Sequence, residues 1–375
     1  MKNILFLFFC FYLPLFAEVS KVEAERWILN VLAGQQDDSI KIYIIDNIEE
    51  IPLRSFYPEL KKLTNSKNDN LKLKVNYMLY KVYKDTAALN QIINFLLDKP
   101  QISENTTNIQ KAKAYLKNQL RAEAARMLGS IGNKKVVEVL AKTVKDEDGN
   151  VSDASYFALA MLSQRGVIQP LPDIKEFFYS GLTDLNPKVR LQAVKYLGEL
   201  KYSDAELPLS LRLKDTSKEV VAETIKSLGK LKSIATLQDL LQFKNSQEDN
   251  YRLALAEALG EIGFEIKNST EQVKKDAFLK IKNTLYVMLN DLNGMIRVAA
   301  AKSLLSLDDM SGLEIIKKGL ESKDSDVVKY CIEAIGAYGK MGHMSLIEKF
   351  AQHEDITFKT FTYVNILKIY QREKK

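Results

Sequence analysis

The chain has 375 residues, of which 46% are apolar and 27% charged, and a formal net charge of +6. This is enough apolar sequence for a large buried core. The positive excess is slight and lysines are interspersed with acidic residues, which argues against a nucleic-acid groove with its basic stripe.

At the start, Met1-Lys2-Asn3 is a short positive segment and Ile4 to Phe16 is almost wholly apolar. Ala17 offers a small residue at a cut ahead of the polar Glu18-Val-Ser-Lys, so residues 1–17 read as a secretory signal peptide. The apolar run falls short of the roughly 20 residues a membrane-spanning helix needs. Two alternatives stand beside cleavage. One is lipid attachment at Cys10, which the bulky Phe9 disfavours, and the other is retention as an anchor. Cleavage leaves Cys331 as the one thiol, hence no intramolecular disulfide and a mature chain without a transmembrane span. Its small-residue register marks Cys331 as a core side chain rather than a nucleophile.

Residues 18–117 read as divergent helices forming an N-terminal cap, with a separate domain as the alternative. Val19 to Leu32 is amphipathic with Trp27 on its apolar face, and Ser39 to Ile48 fits helix or strand. Ile51-Pro52 is a break, Tyr57 to Leu63 and Leu71 to Tyr83 are a helix pair, and Ala87 to Leu97 is stopped by Lys99-Pro100. Gln101 to Asn108 is a loop, and Ile109 to Leu128 a long helix. A cap has one face toward water, which is why its repeats depart from the pattern.

A periodic pattern follows. Gly198, Gly229 and Gly260 lie 31 residues apart, and Gly129, Ser163, Leu305 and Gly336 extend the register with steps of 34, 35, 45 and 31. A period in this range signals stacked repeats. Counting from the glycine, position −1 is Leu or Ile in every copy, and position −5 is small at Ala124, Ala158, Ala193, Ala300 and Cys331. Position −9 is apolar at Leu120, Val189, Val220, Ile296 and Val327. Together these make one helical stripe, and the small residue admits a neighbouring helix. Asn186, Ser217, Asn293 and Asp324 fall at −12, where a side chain caps the first turn.

These residues resemble the HEAT repeat family, in the short form also called the PBS-lyase HEAT-like repeat. Asp184, Val189, Arg190, Ala193, Leu197, Gly198 and Leu200 match its signature, as do Asp291, Arg297, Ala300 and Leu304. Arg121 and Arg252 stand in the same place as Arg190, whereas Val221 and Val328 replace the arginine. The resemblance covers residues 118–340. It implies an all-α fold, an α-solenoid of antiparallel helix pairs, in which the repeat arginine and aspartate tie neighbouring repeats together. Residues 264–277 are an insertion, with Ser269-Thr270 opening an extended helix to Asn290, and 341–375 are capping helices and a tail.

No nucleophile elbow, Walker loop or zinc-protease motif is present. The chain has two histidines, and the single pair His353-Glu354 cannot supply the several His-Glu pairs of the HEAT-like deoxyhypusine hydroxylases. Asp146-Glu-Asp148-Gly149 hints at a calcium loop, but Phe157 stands where Glu is required, so it reads as a solvated turn. No catalytic residue, cofactor or metal is therefore expected.

What remains is surface. Positions −3 and +1 should face one side of the stack, the concave side in HEAT-like proteins. They read Arg126, Lys195, Lys226, Glu257, Lys302 and Glu333, then Glu199, Lys230 and Glu261. Lys195, Lys226 and Lys230 are expected to form a local positive patch. Read functionally, these charges make a mixed groove for an unidentified protein partner; otherwise they only solvate the stack. The expected function is a non-catalytic protein-interaction scaffold or adaptor of the bacterial cell envelope, periplasmic or envelope-associated. The alternatives are a lyase-like or enzyme-accessory protein holding a small ligand between repeats, and a self-associating structural protein.

Overall fold

The computed structural model describes residues 19–103 and 106–373. The signal peptide expected over 1–17 lies outside the described residues. Among those described there is no strand. The helices are α1 (Lys21–Ala33), α2 (Asp38–Asn47), α3 (Tyr57–Leu63), α4 (Asp69–Lys81), α5 (Thr86–Leu97), α6 (Asn108–Ile131), α7 (Val137–Thr143), α8 (Gly149–Gln164), α9 (Pro172–Gly181) and α10 (Pro187–Leu200). They continue with α11 (Glu206–Ser210), α12 (Lys218–Lys230), α13 (Leu237–Leu240), α14 (Asp249–Ile266), α15 (Gln272–Met288), α16 (Gly294–Ser306), α17 (Leu313–Gly319), α18 (Ser325–Tyr338), α19 (Ser345–Glu348) and α20 (Ile356–Arg372). The segment that fitted helix or strand is the helix α2. The expected extended helix is α15, with Glu271 at its N-cap.

Local chemistry sets the helix starts. Asn186, Ser217, Asn293 and Asp324 are the N-caps of α10, α12, α16 and α18, and each side chain accepts a first-turn N–H. The even-numbered helices pack in series from α4 through α18 to α20, with the odd-numbered helices behind them. Glycines permit the closest approaches. A Cβ on Gly229 would sit 2.6 Å from Cα of Ala258, and one on Gly198 2.8 Å from Cα of Ser227. The Ser227 hydroxyl donates to the Val194 carbonyl across that contact at 3.0 Å, and Ser303 donates likewise to Ala256 at 2.8 Å. The small residue at −2 (Ser227, Ala258, Ser303) thus meets the preceding glycine, a position the sequence pattern did not single out.

The repeat arginine reaches forward to an aspartate of the next repeat. Arg190 makes a two-pronged bond with Asp215 at 2.8 and 2.7 Å, and Arg252 with Asp291 at 2.8 and 3.1 Å. Arg121, 1% exposed, donates to Asp146 at 3.1 and 2.5 Å and also to the Leu96 carbonyl and Asn118. Asp146 is therefore not in a solvated turn; its side chain is buried in the tie between α6 and the α7–α8 turn.

The ends of the stack do not face water as caps. α20 packs against α1 and α2, and α2 packs on α4, so the series closes into a ring. α1 and α20 run antiparallel along the seam. Tyr370 donates to the Val19 carbonyl at 2.8 Å, Tyr363 to Glu23 at 2.9 Å, and the Trp27 indole to Thr360 at 3.2 Å. Trp27 stacks on Tyr363 with ring centroids 5.4 Å apart, and Tyr43 stacks on Phe361 at 5.1 Å. One apolar core accordingly joins Ala24, Ile28 and Ile44 to Cys331, Ile335, Val364 and Leu367. Closure buries apolar faces that an open stack would leave exposed at both ends. Periodicity could not reveal this, because it reports only contacts between consecutive repeats.

Candidate binding face inside the ring

The sequence-predicted surface residues divide among three places. Lys226 and Lys230 of α12, Glu257 and Glu261 of α14 and Lys302 of α16 line one cavity of about 430 Å³. Arg126 of α6 and Glu199 of α10 line a second, of about 320 Å³, with Asp46 of α2, Glu49 in the turn after it and Lys74 of α4. That α2 and α10 share a cavity places these side chains on the inner face of the ring. Lys195 is exposed and lines neither cavity.

Two of the three lysines expected to form a positive patch, Lys226 and Lys230, are balanced by nearby carboxylates. Lys226 lies 3.5 Å from Glu257, and Lys230 lies 3.8 Å from both Glu199 and Glu223. Lys302 lies 3.7 Å from Glu333, with its ammonium 4.4 Å from the centroid of the Tyr330 ring. Arg126 is held by Glu123 at 2.9 Å. The result is a ladder of opposite charges stepping from helix to helix. Its members are partly exposed and widely spaced, so each pair is worth at most about 1 kcal/mol.

Three aromatic residues absent from the sequence reading complete the first cavity. Phe264, Tyr330 and Tyr338 stand in its wall beside Gly260, Ser303 and Ser306. Phe264 is 49% exposed and Tyr338 37%. Tyr330 donates to Glu257 at 3.2 Å. Burial, with Glu257 and Glu333 close by, pushes its phenol far above the ordinary range. Burial likewise raises Tyr338, with Glu261, Glu333 and Glu50 adding to the effect. Both hydroxyls thus remain protonated donors. Glu261 is exposed and has no ion-pair partner among the described residues. The cavity therefore offers the Glu261 carboxylate and the partly exposed Tyr338 ring, while the Phe264 ring carries the Lys267 ammonium 4.3 Å from its centroid. Position +2 after Gly336 would have signalled Tyr338, had the inner face been read for aromatic as well as charged residues.

A third cavity, of about 570 Å³, adjoins the first through Lys302 and Tyr338 and needs both ends of the chain. Glu50 comes from the N-terminal side, and Lys368 and Arg372 from α20. Lys368 donates to Asn47 at 2.9 Å, and burial holds its ammonium below the usual lysine range despite nearby Glu50 and Glu333. Arg372 caps the end of α18 by donating to the Gly336 and Gly339 carbonyls.

The remaining candidates lie elsewhere. Cys331 is buried, and burial pushes its thiol up to about 12. His353 accepts the Asp355 N–H and stacks on Phe358, and His343 accepts the Lys340 N–H. Among the described residues no group of three or more His, Cys, Asp or Glu is placed to hold a metal ion. Nor, among them, is any helix long and apolar enough to cross a membrane.

The chain is similar over 74% of its length to a protein of the CpcE–CpcF complex of phycocyanin lyase from Nostoc sp. PCC7120, covering 92% of that chain at 19% identity and a TM-score of 0.38. It is similar over 77% of its length to human deoxyhypusine hydroxylase, covering 97% of that chain at 19% identity and a TM-score of 0.33. An engineered protein matches over 94% of this chain and 97% of its own, at 17% identity and a TM-score of 0.33. No curated protein sequence matches. A profile of HEAT repeats matches residues 109–174 and 176–260, so HEAT repeats are detected over that part of the chain.

Proposed function

We propose that this ring is a non-catalytic scaffold that binds a protein partner on its inner face, in the cavity between α12, α14, α16 and α18. The single observation that carries the reading is the cavity's composition. It combines five of the predicted residues, the unpaired Glu261 among them, with exposed Phe264 and Tyr338. Aromatic side chains with a polar tip are what partner-binding surfaces concentrate. The lysines of the ladder are balanced within the protein, so specificity falls to Glu261 and the aromatic wall. The export signal read in residues 1–17 supports a cell-envelope location for the scaffold.

The test is a photo-crosslinking amino acid at Glu261, with one at Lys280 on the outer helix α15 as the control. A partner captured from envelope fractions at 261, not at 280, and lost in the Tyr338→Ala background supports the reading. Equal capture at both positions, or none at 261, contradicts it. The cavity volume, within the range of small-molecule sites, favours one second reading: a small ligand held between repeats. Native mass spectrometry of protein purified from envelope fractions would then show bound mass that Tyr338→Ala removes.

A further inference from the structure

The first three turns of α6 stand apart from the ring. Asn118, on the fourth turn, donates to Asp148, the N-cap of the neighbouring helix α8, so the two helices are level there. Residues 108–117 therefore extend about 15 Å beyond that level, at 1.5 Å per residue. The turns are pre-formed. Thr107 and Gln110 make a reciprocal capping box, and Lys117 is tied to Asp98 at the end of α5 at 2.7 Å.

The faces of this projection are inverted relative to an ordinary surface helix. Ala114, Asn118 and Arg121 are the buried stripe. On the opposite side Ile109, Ala112, Tyr115 and Leu116 fall within an arc of roughly 120°. Ile109 is 71% exposed, Leu116 62% and Tyr115 59%. Ile102, in the preceding loop, is 58% exposed as well. Residues 108–117 contain three lysines and no acidic residue. Lys111 and Lys113 flank the apolar arc on its two sides, both exposed and neither in an ion pair among the described residues.

We propose that this projection docks on an anionic lipid surface. The occupant follows from charge complementarity and shape. A convex, pre-formed helix with an apolar outward face between exposed lysines matches the anionic headgroup and acyl boundary of a bilayer. Tyr115 is a side-chain type favoured at that boundary. Such docking holds the ring at a membrane and leaves the inner-face cavities open, so it stands independently of the partner reading above.

The test is co-sedimentation of the mature chain with phosphatidylcholine vesicles, with and without phosphatidylglycerol, at low and high salt. The variants are Ile109→Asn/Leu116→Asn and Lys111→Glu/Lys113→Glu, with unchanged melting temperatures as the fold control. All four positions are exposed, so the fold should survive. Binding is expected only with phosphatidylglycerol, weakened by salt, and reduced at least about tenfold by either double variant. No vesicle binding, or binding indifferent to Ile109→Asn/Leu116→Asn, overturns the proposal. So does a wild-type dimer that this variant converts to monomer, because the face would then be a self-contact.

Discussion

Replacing Asp146 with asparagine removes the carboxylate of the most buried inter-repeat tie. Both side chains of the Arg121–Asp146 pair are 2% exposed. Burial alone would raise the Asp146 carboxyl, but hydrogen bonds from Arg121, the Asp148 N–H and Lys99, with the charge of Arg121, outweigh it and bring the value down from 3.8 to about 2. A shift of that size corresponds to about 2 kcal/mol. Because the folded carboxyl titrates below the unfolded one, the contribution is complete above pH 3.8 and disappears as the pH falls through 2. About half is gone by pH 3. Asparagine also leaves Arg121 as a buried charge with neutral partners, which can raise the cost at pH 7 to about 4 kcal/mol. The assay is urea unfolding followed by far-UV circular dichroism, wild type against Asp146→Asn, at several pH values between 7 and 3. The difference should be about 2–4 kcal/mol at pH 7 and narrow as the pH falls below about 4. A difference under about 0.5 kcal/mol, the scale of an exposed substitution, or one that does not change with pH, would refute the buried tie.

Other consequences are open to measurement. Gly229→Ala places a Cβ 2.6 Å from Cα of Ala258, a backbone atom that cannot rotate away. It should cost about 1–3 kcal/mol by forcing α12 and α14 apart, whereas Gly149→Ala, which meets nothing within 4 Å, should show no such clash. Cys331 should resist a thiol reagent in the native protein and react fully in urea; rapid native labelling would contradict its burial. Trp27 is the sole tryptophan and stacks on Tyr363 across the seam. Tyr363→Ala should therefore shift its emission to the red while helix content is retained, and unchanged emission would show that the contact is not made.

Much of the fold was legible because the repeat chemistry is local. Asn186, Ser217, Asn293 and Asp324 cap helices where the −12 register puts them, and Arg121, Arg190 and Arg252 each find an aspartate of the next repeat, whereas Arg297 donates to the Asp291 and Leu292 carbonyls of its own repeat. Ring closure was not legible. Val19 and Tyr370 are 351 residues apart, and the aromatic contacts of Trp27 and Tyr43 with α20 belong to no repeat. The inner face was legible in part. The −3 and +1 rule found Glu257, Glu261 and Lys302 but could not see that carboxylates from adjacent helices balance Lys226 and Lys230. It also omitted Tyr330 and Tyr338, since it considered only charged side chains. The apolar face of α6 escaped because a stripe such as Ile109, Ala112 and Leu116 normally faces the core, and only the packing shows which stripe is buried.

Ring closure forms the seam cavity, and one distance tests it. Spin labels at Val22 on α1 and Thr357 on α20 lie on packed antiparallel helices. Helix rise and an interaxial spacing of about 9 Å place their backbones within about 20 Å of each other. Pulsed dipolar spectroscopy on the purified protein should return one short, narrow distance near that value. A broad or long distribution would mean that the two ends are apart, that the chain is an open superhelix, and that the seam cavity of Glu50, Lys368 and Arg372 does not exist.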